Sequence, residues 1–191
     1  MEHIQKRAGL GHLMVDIETM GEGSNAVICS IGAVEFEINT GETRSVFYRK
    51  VDLQSCLDAG LTVDGSTIKW WLQQNAEAQK EITGGGAVSI QQALKDFSEF
   101  ISCGVDTLKL WSNGKHFDMS RLADAYKVCR MEIPWKFYNV RDCRTLVEVM
   151  PEIKRGIQRA GVAHHALDDC LHQIKYCSAI WQYMNKNLVR A

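Results

Sequence analysis

The residues of this chain best suited to chemistry are four carboxylates and a histidine, spread over three motifs that each adjoin an apolar segment. They are Asp16 with Glu18, Asp118, and His164 with Asp169. Carboxylate oxygens are ligands that Mg²⁺ and Mn²⁺ prefer, and two such ions about 3.5 to 4 Å apart need several of them. The set therefore predicts one site for two divalent cations.

The first motif follows a short apolar run, residues 13–15, which is typical of a buried strand. Residues two apart on a strand point to one face, so Asp16 and Glu18 can bind the same ion. An isolated Asp-x-Glu pair is more typical of a solvated strand end. The other two motifs favour the metal site.

His164 and Asp169 are five positions apart, so on one continuous helix they would point about 140° away from each other. Spaced apolar positions predict an amphipathic helix from about Ala166 to Asn187, with Asp169 in its first turn. Convergence then requires His164 to lie in a loop before this helix. Alternatively, His165 and Asp169 are simply neighbours on a helix face, and spacing alone does not decide between them.

The ordered set Asp-x-Glu, Phe-Asp and His-x-Ala-Leu-x-Asp resembles the DEDDh 3′ to 5′ exonucleases of the ribonuclease H-like superfamily, over about residues 12 to 180. The stretches 66–72 and 113–118 are similar to a bacterial and phage branch of exoribonucleases and exodeoxyribonucleases, the exodeoxyribonuclease VIII-like branch. The resemblance implies a metal-dependent enzyme that hydrolyses single-stranded RNA or DNA from 3′ ends to nucleoside 5′-monophosphates. Asp16, Glu18, Asp118 and Asp169 would hold two Mg²⁺ or Mn²⁺ ions, and His164 would act as general base.

Several other residues are candidates for substrate contact. The resemblance suggests that Thr19 and Met20 line the pocket of the terminal nucleotide, although Met20 could instead pack in the core. Trp70 and Trp71 point about 100° apart on a helix, so one is a candidate base-stacking platform and the other a core or dimer-interface residue. Many relatives place Asn four residues before the mid-chain Asp. Here Asn113 lies five before Asp118, which leaves its substrate contact open.

Two alternatives to the exonuclease remain at this stage. An inactive relative would only bind single strands, although the complete carboxylate set argues against this. A ribonuclease H-like endonuclease would share the acidic site without the histidine motif. Sequence does not decide RNA against DNA, because this depends on contacts to the 2′-hydroxyl. Oligomeric state is also open, and a homodimer is suggested only by analogy with relatives.

With 46% hydrophobic residues and 2 prolines, the composition fits one domain with a sizeable core, and the resemblance implies a single exonuclease domain over residues 1–191. No apolar stretch approaches the roughly 18 residues of a membrane span, and we expect a cytoplasmic protein. The 7 scattered cysteines favour neither a disulfide framework nor a zinc site.

Net charge is −1, but residues 105–160 carry 11 Lys/Arg against 7 Asp/Glu. A solvated helix face explains most basic residues of this stretch, and those that could contact phosphates are Lys115, Arg121, Lys127, Arg130, Lys136, Arg141 and Arg144.

The elements that must position these residues follow an α/β order. β-Branched and aromatic residues predict strands at 26–38 and 44–51 around a turn at 39–42. One helical run is predicted to follow residues 64–66 and to reach about Glu81, and a second begins after a capping pattern at Ser89. Residues 107–111 predict a central strand that leads to Asn113. We expect a mixed sheet flanked by helices on both faces, and the resemblance implies the ribonuclease H-like fold.

Overall fold

The computed structural model describes residues 11–102 and 106–188, and within these ranges a five-stranded mixed sheet forms the centre of the fold. The strands are β1 (His12–Thr19), β2 (Ile28–Phe36), β3 (Thr43–Lys50), β4 (Lys109–Ser112) and β5 (Val140–Asp142). The helices are α1 (Leu53–Ala59), α2 (Gly65–Leu72), α3 (Ala76–Thr83), α4 (Ile90–Ile101), α5 (Asp118–Val128), α6 (Cys143–Val149), α7 (Pro151–Gly156) and α8 (Ala166–Leu188).

Strand β1 lies in the middle of the sheet, whose order is β3-β2-β1-β4-β5. It pairs antiparallel with β2, where Asp16 lies opposite Gly32, and parallel with β4, where Met14 lies opposite Trp111. Because β1 and β4 are parallel, their carboxyl ends meet at one edge of the sheet. The first acidic motif and the segment leading to Asp118 therefore approach each other at this edge.

Helices cover both faces of the sheet, as the alternating side chains of β1 show. Leu13, Val15 and Ile17 pack with helices α1 to α5 in one apolar cluster. Met14 points the other way and packs with residues of α6 and α8 in a second cluster. The predicted mixed sheet with helices on both faces is confirmed, and Asp16 shares the α8 face with Met14.

The predicted strands and the start of α4 agree with the structure, where the Ser89 hydroxyl accepts a hydrogen bond from the Gln92 N–H at 3.2 Å. The prediction of a single helical run that follows residues 64–66 and reaches about Glu81 is wrong, because the structure has two helices there, α2 and α3. Asn75 interrupts the helical run because it is the N-cap of a new helix, α3: its Oδ1 accepts a hydrogen bond from the Ala78 N–H at 2.9 Å. Helix α1 was not expected from the sequence; it begins after Asp52, whose carboxylate accepts from the Ser55 N–H at 3.0 Å.

Two negative expectations concern the described residues only. In ranges 11–102 and 106–188, we find no helix with the length and apolar character needed to span a bilayer. The cysteines of the same ranges are free thiols, most of them buried, and Cys103 lies outside the described residues.

Candidate active site

The carboxylates of β1 lie at the buried end of the central strand. Asp16 and Glu18 are each 8% exposed, on the face that α8 covers. The register between β1 and β2 shifts after Glu18, at the carboxyl end of β1. Both carboxylates therefore project from a rigid strand into a partly enclosed space.

Asp118 is brought to this place by the chain that follows β4. It is the first residue of α5 and is 3% exposed. Its Oδ1 accepts a hydrogen bond from the Ile17 N–H of β1 at 3.3 Å, which ties the helix to the first strand. The negative side chain also lies at the positive end of the helix dipole.

Helix α8 supplies Asp169 because it begins very close to the sheet. Gly32 of β2 permits this approach, since a Cβ atom at this position would lie 2.6 Å from the carbonyl carbon of Ala166. One turn after Asp169, the Nε2 of Gln173 donates to Oδ1 of Asp16 at 2.6 Å, and this bond is buried. Gln173 fixes the orientation of Asp16, and sequence analysis missed it. Its position four residues after Asp169 on one helix face was the available signal.

His164 lies directly before α8, as convergence with Asp169 requires. Its φ is 63°, a left-handed conformation that non-glycine residues rarely adopt. Its ring packs edge-on against Trp70, with centroids 4.7 Å apart. Ligand atoms of Glu18, His164 and Asp169 all lie within 4.8 Å of one another. The neighbouring His165 points away, stacked on Tyr48 with ring centroids 5.0 Å apart.

Burial makes negative charge unfavourable in this cluster. Burial, with the charges of Asp118 and Glu18, raises the pKa of Asp16 well above its ordinary value. Burial, then the charges of Glu81 and Asp118, raises the pKa of Glu18 to about 8. Burial also raises the pKa of Asp118 to about 7. A positive charge placed among them would favour the ionised forms, so the donor set fits divalent cations.

One positive side chain already lies among these carboxylates. Arg159, in the segment between α7 and α8, forms an ion pair with Oδ1 of Asp169. Its charge lowers the pKa of Glu18 and, after the larger effect of burial, that of His164. Sequence analysis counted Arg159 in the basic stretch but did not single it out, because no motif joins it to the acidic residues.

A cleft of about 620 Å³ opens over the cluster. The predicted site residues that line it are Asp16, Glu18, Thr19, Trp70, Trp71, Asn113, Asp118, His164 and Asp169. Trp70 is 39% exposed, whereas Trp71 is buried and its Nε1 donates to the Thr19 carbonyl at 2.9 Å. Oδ1 of Asn113 is buried without a hydrogen-bond partner. Trp70 and Asn113 thus offer a ring and a polar atom to the cleft.

Met20 was a candidate for substrate contact or for core packing, and the structure places its side chain in the core. Met20 is 5% exposed within the apolar core and does not line the cleft. Its N–H donates to the Val27 carbonyl at 2.8 Å, and its carbonyl accepts from the Asp64 N–H at 2.9 Å. Chain direction changes after Thr19, so Met20 turns inward, and packing explains its side chain.

Among the basic candidates, Arg144 lines the cleft. Gly114, with φ of 113°, makes room for it, since a Cβ there would lie 3.3 Å from the guanidinium carbon of Arg144. Arg121 is instead structural: its guanidinium covers the Phe117 ring at 3.6 Å and donates to the carbonyl of Glu22. Lys127 pairs with Asp124 on the same helix at 2.8 Å.

Comparison with known proteins gives a consistent result. The family model described as the 3′-5′ exoribonuclease Rv2179c-like domain matches residues 11–181. A protein of Enterobacteria phage T4 named Exodeoxyribonuclease is 29% identical to this chain over an alignment of 194 positions, gaps included. The match covers 84% of this chain and 85% of that protein.

Solved structures share the architecture at low sequence identity. One is the nuclease domain of 3′hExo, a DEDDh family member, bound to rAMP, with a TM-score of 0.56 and 18% identity over 92% of both chains. Another is E. coli Exonuclease I in complex with a dT13 oligonucleotide, with a TM-score of 0.65 and 12% identity over 94% of this chain and 42% of that one. These likenesses confirm the expected ribonuclease H-like fold.

Proposed function

Because the chain belongs to the 3′-5′ exoribonuclease Rv2179c-like family and is therefore a 3′-5′ exonuclease, we propose that it shortens single-stranded RNA or DNA from the 3′ end to nucleoside 5′-monophosphates. The observation that carries this proposal is the convergence of four carboxylates and His164 in one cleft. Within this cleft, ligand atoms of Glu18, His164 and Asp169 lie close enough to one another to hold one ion.

DEDDh exonucleases use divalent metals, and we propose Mg²⁺ or Mn²⁺ as a pair held by Asp16, Glu18, Asp118 and Asp169. Bound cations would polarise the scissile phosphate and make water a better nucleophile near neutral pH. The protein holds these ligands on the rigid elements β1, α5 and α8. Gln173 keeps Asp16 oriented through its 2.6 Å hydrogen bond.

His164 is the proposed general base. Burial and the charge of Arg159 lower its pKa, which favours the neutral imidazole that can accept a proton from the attacking water. As water adds to phosphorus, the bond to the 3′ oxygen of the preceding nucleotide breaks. The products are a nucleoside 5′-monophosphate and a strand shortened by one unit.

The substrate contacts we propose lie around the same cleft. Trp70 offers a half-exposed ring to a base or the terminal sugar, and a stacked base contributes about 1 to 3 kcal/mol. Thr19 and Trp71 form one wall, joined by the hydrogen bond from the Trp71 indole to the Thr19 carbonyl. The unpartnered Oδ1 of Asn113 is available to a sugar hydroxyl, and Arg144 to a phosphate.

RNA and DNA each have an argument in their favour. The family description names an exoribonuclease, whereas the phage relative is named an exodeoxyribonuclease.

We propose a cytoplasmic enzyme and retain the homodimer as the assembly to test. Sedimentation of the purified protein at several concentrations would measure the latter.

The test of this function uses matched linear and circular single strands of the same sequence, with Mn²⁺. The exonuclease consumes only the linear form, and a 3′-terminal blocking group protects it. Cutting of the circle would identify an endonuclease. Binding of the linear strand with cation bound but no cleavage would identify an inactive relative.

A further inference from the structure

A buried carboxylate lies beside the proposed active site and takes no part in the chemistry described above. Glu81 of α3 is 3% exposed. Its Oε2 accepts a hydrogen bond from the Tyr48 hydroxyl, while its Oε1 has no hydrogen-bond partner. The Nζ of Lys50 is 3.9 Å from Oε2, too far for a hydrogen bond. Burying an incompletely paired carboxylate costs free energy, so the position of Glu81 is unfavourable for stability unless it serves another purpose.

The free oxygen of Glu81 faces His165, the neighbour of the proposed base. The distance from the Nε2 of His165 to Oε1 is 3.7 Å. The Nδ1 of His165 accepts a hydrogen bond from the Asp168 N–H at 3.4 Å, so in the neutral ring the proton is on Nε2, directed at the carboxylate. The same ring is stacked on Tyr48 at an angle of 16°. Stacking on Tyr48 therefore holds one face of the His165 ring, and the Glu81 carboxylate lies 3.7 Å from its edge, which is longer than a hydrogen bond but close enough for electrostatic attraction.

The chain on the other side of His164 is fixed as well. Oδ2 of Asp168 accepts from the Val162 N–H at 2.8 Å. Gly161 packs against this carboxyl group, since a Cβ there would lie 2.6 Å from its Cγ. His164, with its φ of 63°, is therefore held between two anchored points. Such a conformation persists only where its surroundings determine it.

We propose that Glu81, Tyr48 and His165 form a positioning cluster that holds His164 in its left-handed conformation, with its imidazole directed at the carboxylates. This inference rests on the proposed role of His164 as base. None of the three residues lines the cleft. Their proposed effect on turnover runs through His164, so a change that keeps the Glu81 carboxylate in place affects kcat more than KM or cation binding, whereas loss of that carboxylate also changes the charge near Glu18.

Tyr48→Phe is the sharpest test, because it removes one hydroxyl and keeps the stacking ring. We expect kcat to fall by about tenfold, the scale of one hydrogen bond to a charged group, with KM unchanged. In a His164→Ala background the same change should alter kcat by no more than about twofold. Tyr126→Phe is the matched control, since this buried hydroxyl bonds to Ser98 and the Leu94 carbonyl away from the cleft.

The outcomes separate the two proposals. If His164→Ala lowers kcat but Tyr48→Phe lowers it equally in both backgrounds, the positioning cluster is refuted and the proposed function stands. If His164→Ala leaves kcat unchanged, the role of His164 as base is refuted, and the cluster with it.

An NMR measurement tests the positioning without activity. The imidazole resonance of His164, assigned by its loss in His164→Ala, should shift or broaden in Tyr48→Phe and in His165→Asn. It should stay in place in Tyr126→Phe. An unchanged His164 resonance in both cluster variants would overturn the inference even for an active enzyme.

Discussion

Replacing Gly32 with alanine tests whether the close approach of α8 to the sheet sets the active site. The new Cβ would lie 2.6 Å from the carbonyl carbon of Ala166 and 2.8 Å from its oxygen. Ordinary contact between such atoms is about 3.5 Å, so the start of α8 must retreat by roughly 1 Å. Both atoms belong to the backbone, and no flexible side chain can move aside instead.

The displaced helix start carries Asp169, three residues after Ala166. Overpacking of this kind costs about 1 to 3 kcal/mol, and a loss of about 2 kcal/mol lowers the Tm of a chain of this size by about 4 to 8 °C. A shift of about 1 Å in a reacting group can reduce turnover about 100-fold. We therefore expect Gly32→Ala to remain folded at 25 °C and to lose far more activity than stability.

The assay combines thermal melting with kcat on a 5′-labelled single strand at saturating Mn²⁺. Gly156→Ala in α7 is the matched control, since a Cβ at that position meets no atom within 4 Å. It should match the unsubstituted protein in both measurements. Turnover within about twofold of the original protein in a folded Gly32→Ala variant would refute the claim that the approach of α8 sets the site.

Three further predictions follow from the geometry of the cleft. His164→Ala should lower kcat about 100-fold or more while calorimetry still detects Mn²⁺ binding, and a greater loss in His165→Ala would show that the base is misassigned. Gln173→Leu removes the hydrogen bond to Asp16 and should weaken Mn²⁺ binding by about tenfold, whereas unchanged affinity would contradict its orienting role. The pKa of Glu18 rises from 4.5 to about 8 on folding, so between these pH values the folded chain keeps a proton that the unfolded chain has lost. The free energy of unfolding of the cation-free protein should therefore fall as pH rises through this interval. Melting in chelator across this interval measures the effect, and a Tm that rises with pH there, or a cation-induced gain that shrinks, would contradict it.

Sequence reasoning located the candidate ligands because each one adjoins a recognisable element. Asp16 and Glu18 end a strand and Asp169 begins a helix, so periodicity indicated that they could converge, and the family resemblance joined them to Asp118 as one set. Spacing also showed that His164 must precede α8 to converge with Asp169. The structure has this arrangement, although the chemical role of each residue remains a prediction.

The supporting residues could not be found in the same way. Glu81 and Arg159 lie in segments without a motif, and only tertiary packing brings them to the carboxylates. The two interpretations of Met20 stayed open for a similar reason, because adjacency to a motif does not say which way the chain turns. The break between α2 and α3 depends on one cap at Asn75, which competes with an otherwise continuous helical pattern.

The most direct measurement is a time course on matched 5′-labelled single-stranded RNA and DNA with Mg²⁺ or Mn²⁺, comparing the unsubstituted protein with Asp118→Ala. Asp124→Ala on the same helix controls for loss of a carboxylate outside the cleft. We predict a ladder that shortens from the 3′ end, disappears in chelator and in Asp118→Ala, and persists in Asp124→Ala. Full turnover by folded, cation-loaded Asp118→Ala would contradict the assignment of this cleft as the active site.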